Sequence, residues 1–465
     1  MSAPALWIGI PIAVGAFSLL LLTERAAAWT GALTCFALAM LALFVPIDSA
    51  MLVGPFSIKI GSTASLLGRN LVIGAAEGPL LAVLFGLCAM WFFGAEAAGV
   101  ARRLVPVGLT ITALLVASVA VEPFLYAALL IEMAVLASVP LLAPQGLTPG
   151  RSVLKFLAYQ TLGMPCILLA GWLLAGVETS PGDLALTIQA TVMLSLGFAF
   201  LLAVFPLHDW IPGLMAESHP YLTGFLLWVL PSVIIVFAMS FLNGYTWLRS
   251  SPQVVTGLRT FGLLMLVTSG IWSALERNLG RMFGQAAIAE NGLALLATSL
   301  AVANRTDLVF PFFIPRGLTM LVWAMALAIV RRNYAQLSLD NLRGAGRTHP
   351  WASAAIVLAA LSTAGFPLLA GFPPRIDVWD GLADVSSGAA VWFLIGLVGL
   401  MIGALRQLAL IVGSPREVAD IPRETLLERG MLGAGMLVLI GLGLFPRITS
   451  FVVDKLPLIF EHLSR

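Results

Sequence analysis

The stretch Phe205-Pro206-Leu207-His208-Asp209-Trp210-Ile211-Pro212 lies between two long apolar runs, at 185–206 and 219–241. Each of its two prolines lacks a backbone N–H and crowds the preceding turn, so a straight α-helix cannot pass through it. In a lipid bilayer such a break leaves backbone groups that lipid cannot satisfy, and it persists only where it packs in protein or lines a wet cavity. Pro206 and Pro212 therefore predict a broken helix inside a helical membrane protein.

The rest of the chain has the composition of a membrane protein. Of its 465 residues 60% are hydrophobic and 10% are charged, and its mean hydropathy is +1.00, whereas soluble domains are about half apolar and a quarter charged. A helix needs roughly 20 apolar residues to cross about 30 Å of hydrocarbon. Fourteen apolar runs approach that length: 5–22, 27–46, 72–94, 104–121, 123–143, 153–177, 185–206, 219–241, 256–275, 282–303, 308–330, 350–371, 388–413 and 430–451.

We therefore predict an all-α, polytopic membrane protein with a single transmembrane domain over residues 1–465. It has fourteen transmembrane helices, or thirteen if 185–206 and 219–241 are one broken helix. If 185–206 and 219–241 are counted as one helix, the basic residues give no single orientation, because they fall in odd-numbered loops in the first half and in even-numbered loops in the second. An inverted repeat and a miscounted helix would both explain that pattern.

A second proline-rich break resembles the first. Phe366-Pro367-Leu368 ends the run 350–371, and Pro373-Pro374 follow within a few residues. Matched breaks in the two halves of a membrane protein are a common indication of a transport path. We predict two approximate inverted repeats, 104–303 and 282–451. The alternative is that two such triplets arise by chance in so apolar a chain.

Several classes of function are disfavoured by what the chain lacks. The formal net charge is +2 without a basic stripe, which argues against nucleic acid as a partner. Cys35, Cys88 and Cys166 are isolated in apolar runs, so we predict neither a metal site nor a disulfide. The sequence has no phosphate-binding glycine loop and no nucleophile elbow. We therefore expect no cofactor in this chain.

Ionisable residues inside apolar runs are costly in lipid and are functional candidates. Glu132 lies nine residues after Pro123, or about 14 Å along a helix, which is near the middle of a membrane. A carboxyl group there either pairs with a cation or stays protonated, and both states suit a proton relay. The alternative is a neutral glutamate that forms a hydrogen bond between helices.

The other candidates for a proton relay are Glu290, Arg316 and Arg375 inside or beside apolar runs, and His208 and His219 around the first break. Histidine titrates in the physiological range. Each candidate has a structural alternative: an interhelical hydrogen bond for the glutamate, an arginine side chain that reaches the interface, or a solvated loop for the histidines.

Four stretches, in order, resemble the antiporter-like membrane subunits shared by respiratory complex I (NADH:quinone oxidoreductase) and multisubunit Na⁺/H⁺ antiporters. They are 205–217, which resembles P-x-H-x-W-L-P-D-A-x-x-E-A-P; 280–292 (GRMFGQAAIAENG), which resembles K-R-L-L-A-Y-S-S-I-S-[HQ]-x-G; 342–350 (LRGAGRTHP), which resembles L-R-G-L-x-R-x-x-P; and 361–372 (LSTAGFPLLAGF), which resembles L-S-L-A-G-I-P-P-L-A-G-F. Order and spacing agree over roughly residues 100–380.

The resemblance implies two inverted helical repeats, a broken helix in each, and a buried polar axis that conducts protons. Glu132 falls where the family has an intramembrane glutamate, and Arg375 falls where it has a lysine or glutamate after the second break. The family's lysine in the first broken helix falls on Ser232, and the lysine of K-R-L-L falls on Gly280.

From these observations we predict a proton-translocating, antiporter-like subunit of a complex I-type or related ion-pumping assembly, with Na⁺ as the alternative ion. The loss of the lysine at Ser232 favours a second hypothesis, a degenerate subunit that is structural and does not pump. A cation/proton antiporter subunit is a third hypothesis. Expected partners are other membrane subunits and the lipid bilayer, and the expected location is the bacterial cytoplasmic (inner) membrane.

Overall fold

The computed structural model describes residues 2–21, 23–53, 56–66, 68–143, 148–179, 183–302, 305–334, 337–413, 424–460 and 462–463. Within these ranges the chain forms, after a π-helical turn at Ala5–Gly9, the following α-helices: α1 Ile10–Ser18, α2 Glu24–Phe44, α3 Gly78–Ala98, α4 Ala101–Ala120, α5 Ala127–Leu142, α6 Arg151–Thr179, α7 Leu184–Leu201, α8 Trp210–Glu217, α9 Pro220–Gly244, α10 Thr246–Arg249, α11 Pro252–Leu275, α12 Leu279–Ala301, α13 Phe313–Asn333, α14 Ala345–Thr348, α15 Pro350–Thr363, α16 Phe372–Val385, α17 Ser387–Val412, α18 Leu426–Leu444 and α19 Ser450–Val453.

Each of the fourteen apolar runs holds a helix. In the described part of the chain, eleven helices are long and apolar enough to cross a membrane, and Ala5–Ser18 and Pro350–Thr363 are shorter apolar helices. Helix α12 has 23 residues, but Gln285, Glu290 and Asn291 interrupt its apolar sequence. The predicted all-α membrane fold is confirmed.

Polar residues are tolerated in α12 because other helices surround it. Nearly all of its residues are buried, and 89% of an 18-residue apolar stretch is buried in each of α9 and α13. The buried share of the corresponding stretch is only 22% in α7 and α18 and 28% in α11. These three helices therefore lie at the periphery and present apolar side chains to lipid. The core of the molecule is therefore the α9–α12–α13 group.

Both proline-rich stretches are breaks, as predicted. Helix α7 ends at Leu201 and α8 begins at Trp210, while α15 ends at Thr363 and α16 begins at Phe372, so each break is eight residues long (202–209 and 364–371). Pro206 and Pro367 lie in these non-helical segments. Pro212 and Pro373 lie in the first turns of α8 and α16, where a missing N–H leaves no helical hydrogen bond unmade.

The first break does not join the two runs that flank it into one helix. Helices α7 and α9 are separate and have 18 and 25 residues. The short helix α8 continues α7 after the break, and the chain turns at Ser218-His219 before α9. The alternative with thirteen helices is therefore wrong, because each of the two runs forms a full helix of its own.

Short strands, which the sequence patterns did not predict, fill the long loop between α2 and α3. Strands β1 (Ala50–Val53) and β2 (Phe56–Lys59) form an antiparallel pair. Strands β3 (Thr63–Leu66) and β4 (Arg69–Val72) form another, which β5 (Val121–Glu122) extends after α4. The strands hold this loop against the end of α4.

Candidate functional site

A buried ion pair joins α12 to the helix that follows the second break. The Nη2 atom of Arg375 donates to Oε1 of Glu290, and the two side chains are only 3% and 4% exposed. The Nη1 atom of Arg375 donates to the carbonyl of Gly371, the last residue of the break, at 2.8 Å. Arg375 therefore neutralises a carboxylate in the core and satisfies a carbonyl that the break has freed.

A second buried arginine is bound to the residue next to Glu290. Arg316 of α13 donates to Oδ1 of Asn291 at 2.6 Å and to the carbonyl of Leu227 in α9 at 3.1 Å. The Nδ2 atom of Asn291 donates to the carbonyl of Leu202, at the start of the first break, at 2.9 Å. Consecutive residues of α12 thus connect to both breaks.

Hydroxyl groups extend these contacts around the second break. The Oγ atom of Ser362 lies 3.1 Å from Oγ1 of Thr319 on α13. The same Ser362 hydroxyl accepts a hydrogen bond from the backbone N–H of Gly371 at 3.2 Å. Ser362 of α15 therefore binds the amide of Gly371, and Arg375 binds its carbonyl. Thr319 of α13 contacts the same serine.

Helix α6 supplies the contacts on the side of Glu132. Gln160 donates to the carbonyl of Leu201 at 3.0 Å, so two side-chain amides, from Gln160 and Asn291, cap the end of α7. Thr161, the next residue, donates to Oε1 of Glu132 at 2.8 Å. Glu132 is 8% exposed, and its Oε2 has no hydrogen-bond partner among the described residues.

The residue that replaces the family's lysine does not pair with Glu132. Ser232 is buried in α9, and its hydroxyl donates to the carbonyl of Trp228 in its own helix at 2.7 Å. No ion pair to Glu132 occurs in the described ranges of the chain. Lys155, on the same helix as Thr161, instead pairs with Asp209 at the surface.

A polar cavity reaches the second break from one edge of the molecule. It has a volume of about 350 Å³, and Ala370 and Pro373, beside the second break, line it. Asp377, one turn beyond Pro373 in α16, and Arg447 and Asp454 after α18 also line it. We call it the vestibule. One of its charged wall residues, Asp377, is two residues from Arg375 along the chain.

The two histidines lie at the molecular edge. His208 lies in the first break, and His219 lies between α8 and α9. Burial is the main cause that lowers the pKa of His219 to about 4, and Arg331, Arg103 and Arg332 lower it further. The imidazole of His219 is therefore neutral at neutral pH, and neither histidine side chain has a hydrogen bond to the buried polar groups in the described part of the chain.

The structure thus brings together Glu290, Arg375 and, through Asn291, Arg316. We call these three residues with Asn291, Gln160, Ser362 and Thr319 the polar axis. Glu132 joins it only through neighbouring residues of α6, and the histidines do not join it. The sequence analysis missed Gln160, Thr161, Ser362 and Thr319, although Gln160 interrupts the apolar run 153–177 as Glu290 interrupts its own.

Comparisons with known proteins agree with this architecture. The sequence profile of the family described as "NADH:quinone oxidoreductase/Mrp antiporter, TM" matches residues 178–403, which include both breaks and Glu290, Arg316 and Arg375. NADH-quinone oxidoreductase subunit N of Geotalea uraniireducens is 22% identical over 320 residues, which are 65% of this chain and 67% of that protein. Alignments with subunit N of Rhodococcus opacus and Cereibacter sphaeroides cover 52% and 59% of those proteins. The chain thus aligns with about half to two thirds of these relatives' length.

Solved structures show the same fold over the whole chain. A chain of respiratory complex I from Thermus thermophilus superposes with a TM-score of 0.79 at 17% identity, over 99% of this chain and 100% of that one. A chain of the Mrp complex from Dietzia sp. superposes with a TM-score of 0.81 at 15% identity, over 99% of both. Residues 178–403 of this chain therefore match the family shared by NADH:quinone oxidoreductases and Mrp antiporters, and the whole chain has the fold of membrane subunits from complexes of both kinds.

Proposed function

We propose that this chain is a proton-translocating, antiporter-like subunit of a complex I-type or related ion-pumping assembly in a bacterial inner membrane. The observation that carries the proposal is the polar axis, in which Glu290 and Asn291 of one buried helix connect to both broken helices. A helix that only anchors a protein has no need of buried charges, and such charges are costly in a bilayer.

Within the axis, Glu290 is the group that exchanges protons. A guanidinium keeps its proton at physiological pH, so Arg375 and Arg316 act as fixed positive charges. When Glu290 is ionised, these charges stabilise it; when its contact with Arg375 opens, the carboxylate takes up a proton. The second break lets Arg375 move, because the carbonyl of Gly371 to which it donates belongs to no helix.

Protons reach this pair by way of the vestibule. Asp377 lies in its wall two residues from Arg375, and Ala370 and Pro373 line it beside the second break. On the other side, Thr161 donates to Glu132, and the adjacent Gln160 binds the end of α7. Between Glu132 and Glu290 the protons are carried by water, which the amides of Gln160 and Asn291 and the carbonyls of the first break orient without accepting a proton themselves.

The second candidate is a structural subunit that does not pump. The observation that favours it is the bond between Ser232 and the carbonyl of Trp228, which leaves Glu132 without a cation. In that case the polar axis is only an interhelical clamp, and translocation takes place in neighbouring subunits. The two candidates differ in what the loss of the Glu290 charge does.

The deciding experiment is Glu290→Gln in the native complex, purified and reconstituted into vesicles. We measure protons moved per electron transferred or per Na⁺ exchanged, whichever reaction the complex performs. Asp307→Asn is the matched control, because Asp307 pairs with Arg305 at the surface. A pumping subunit loses proton movement in Glu290→Gln and keeps it in Asp307→Asn.

The double variant Glu290→Gln/Arg375→Gln separates chemistry from folding. It removes the unpaired buried guanidinium that the single variant leaves, so it assembles more readily. If the assembled single or double variant moves as many protons as the natural complex does, the pumping proposal fails and the structural subunit takes its place.

A further inference from the structure

A long apolar groove runs along α15 between α17 and α18. It has a volume of about 580 Å³, begins beside Gly346 and Pro350, and ends at Phe366-Pro367-Leu368 in the second break. Its wall between these ends is apolar apart from the buried Ser353. The groove lies on the outer surface, and none of the proton-relay contacts proposed above uses it.

The dimensions of the groove fit an acyl chain better than a helix. Helix α15 has 14 residues, or about 21 Å at 1.5 Å per residue, which gives the groove a mean cross-section of roughly 30 Å². An α-helix with its side chains is at least ~10 Å wide, or roughly 80 Å² in section. A helix would therefore seat only partly in the groove.

The mouth of the groove carries positive charge at the level of a membrane interface. Arg343 and Arg347 are exposed on either side of Gly346 in the sequence. Neither guanidinium has a hydrogen bond or an ion pair with any residue that the structure describes. Trp351 is 42% exposed one residue beyond Pro350, and tryptophan is enriched at the headgroup level of bilayers.

Glu424, an acidic residue beside the start of α15, is already bound. Glu424 is 5% exposed, and its carboxylate accepts from the backbone N–H groups of Ala352 and Trp351 at 2.7 and 3.4 Å. It therefore caps α15 and does not neutralise Arg343 or Arg347. The mouth keeps two free guanidinium groups, which are the groups that bind phosphate well.

We propose that this groove binds an anionic phospholipid, with its phosphate between Arg343 and Arg347 and one acyl chain along α15. The end of the chain then lies against Phe366 and Leu368 of the second break, which are 42% and 59% exposed. Leu368 has a φ of +72°, a conformation that a leucine adopts only when its surroundings hold it there. The bound lipid covers this segment and keeps it in place.

The test compares lipid retention by variants of the purified native complex in native mass spectrometry. The complex is exchanged into phosphatidylcholine vesicles with or without phosphatidylglycerol and then extracted. Arg343→Gln/Arg347→Gln removes the headgroup site, and Ala354→Trp fills the groove at an exposed alanine in its wall. Arg277→Gln/Arg281→Gln is the matched control, since both arginines are exposed and Arg277 adjoins Leu339 at the same edge.

The expected result is that the first two variants lose one phosphatidylglycerol and that the control keeps it. Each arginine near an anionic lipid surface contributes about 1 kcal/mol, so the affinity of the double variant for phosphatidylglycerol falls roughly thirtyfold. If the site recognised only the phosphate group, the Ala354→Trp variant would retain phosphatidylglycerol as well as the natural complex does. That result would overturn the proposal. Equal retention by all variants would also overturn it.

A photo-crosslinker at position 354 identifies the occupant directly. Crosslinks to phospholipid support the proposal. Crosslinks to a helix of another subunit or to a second copy of this chain overturn it. This readout does not depend on proton translocation, so the lipid site and the proposed pumping function fail or stand separately.

Discussion

At the residue scale, the polar axis is costly to build and easily upset. Transfer of an ion pair into the interior costs several kcal/mol per ion. The attraction between the two ions offsets that cost only when every remaining polar atom of the pair is hydrogen-bonded. Nε of Arg316 and Nε of Arg375 have no partner among the described residues. The axis therefore does not serve stability, and a function that needs charge in the membrane explains it better.

Asn291 is the residue on which most of the axis depends. Asn291→Leu removes the acceptor of Arg316 and the donor to the carbonyl of Leu202. We expect a loss of about 3 kcal/mol in the free energy of unfolding, because a buried guanidinium loses one of its two partners and a buried carbonyl loses its side-chain donor. Thermal unfolding of the purified complex measures it.

The matched control for this change is Asn243→Leu. The side chain of Asn243 accepts one hydrogen bond, from the backbone N–H of His462, at the surface. Its loss costs about 1 kcal/mol or less. Equal shifts of the unfolding temperature in the two variants would contradict the importance given to the axis.

His219 gives the fold a dependence on pH. Its pKa is about 4 in the folded protein and 6.5 in the unfolded chain, so the unfolded chain binds more protons between these values. The stabilising contribution is fully present above pH 6.5 and decreases as the pH falls towards 4. We expect His219→Gln to flatten the loss of thermal stability over this range.

The corresponding measurement is the unfolding temperature of both proteins at intervals between pH 7.5 and 4.5. The control is His462→Gln, because His462 lies near the end of the described chain, away from the arginines around His219. If His219→Gln and the natural protein lose stability in parallel, the neutral buried imidazole is not the cause.

At the scale of the elements, the two breaks depend on close backbone contacts. A Cβ atom on Gly371 would lie 2.0 Å from the carbonyl oxygen of Ser362 and 2.7 Å from Nη1 of Arg375. Backbone cannot yield to such a contact without moving α15 relative to α16. Gly371→Ala should therefore displace Arg375 from Glu290 and abolish proton movement.

Gly441→Ala in α18 is the matched control, because nothing lies within 4 Å of the added Cβ atom. Alanine there should be neutral or stabilise the helix by up to about 1 kcal/mol. Hydrogen exchange at 364–375, measured with proton movement, checks the prediction. Normal exchange and activity in Gly371→Ala would refute the proposed role of the break.

At the scale of the whole molecule, the structure resolves the orientation that the sequence left open. Arg331 donates to the carbonyl of Glu217, and the carboxylate of Glu217 accepts from the N-terminus of α6 at Ser152. Arg103 donates to carbonyls at the end of α5. The arginines of both halves therefore lie at one edge of the molecule. The reason is that α7, the first break and α8 together make one crossing of the membrane, and α9 begins the next crossing.

By the positive-inside rule this basic edge faces the cytoplasm. The vestibule then opens on the opposite side, since its wall includes residues 446–454 beyond the far end of α18. We expect Arg347→Cys to react with an impermeant maleimide only in inside-out vesicles. Lys455→Cys, at the opposite edge, should react only in right-side-out vesicles, and the reverse pattern would invert the orientation.

The sequence alone determined the class of protein and the places where its helices break. Apolar runs of about 20 residues predict membrane helices because the thickness of hydrocarbon sets their length. The prolines at 206 and 367 predict breaks because the missing N–H and the steric clash are local to the residue. Both properties belong to neighbouring residues, so no knowledge of the packing was needed.

The tertiary structure alone decided which polar residues meet. Glu290 and Arg375 are 85 residues apart, and the partner of Asn291 in the first break is 89 residues away. Apolar helix surfaces gain little free energy by burial against each other rather than against lipid, so hydropathy does not show which helices adjoin. That is why the sequence offered six candidates for a proton relay, whereas the packing brought only three of these six, Glu290, Arg316 and Arg375, into the polar axis.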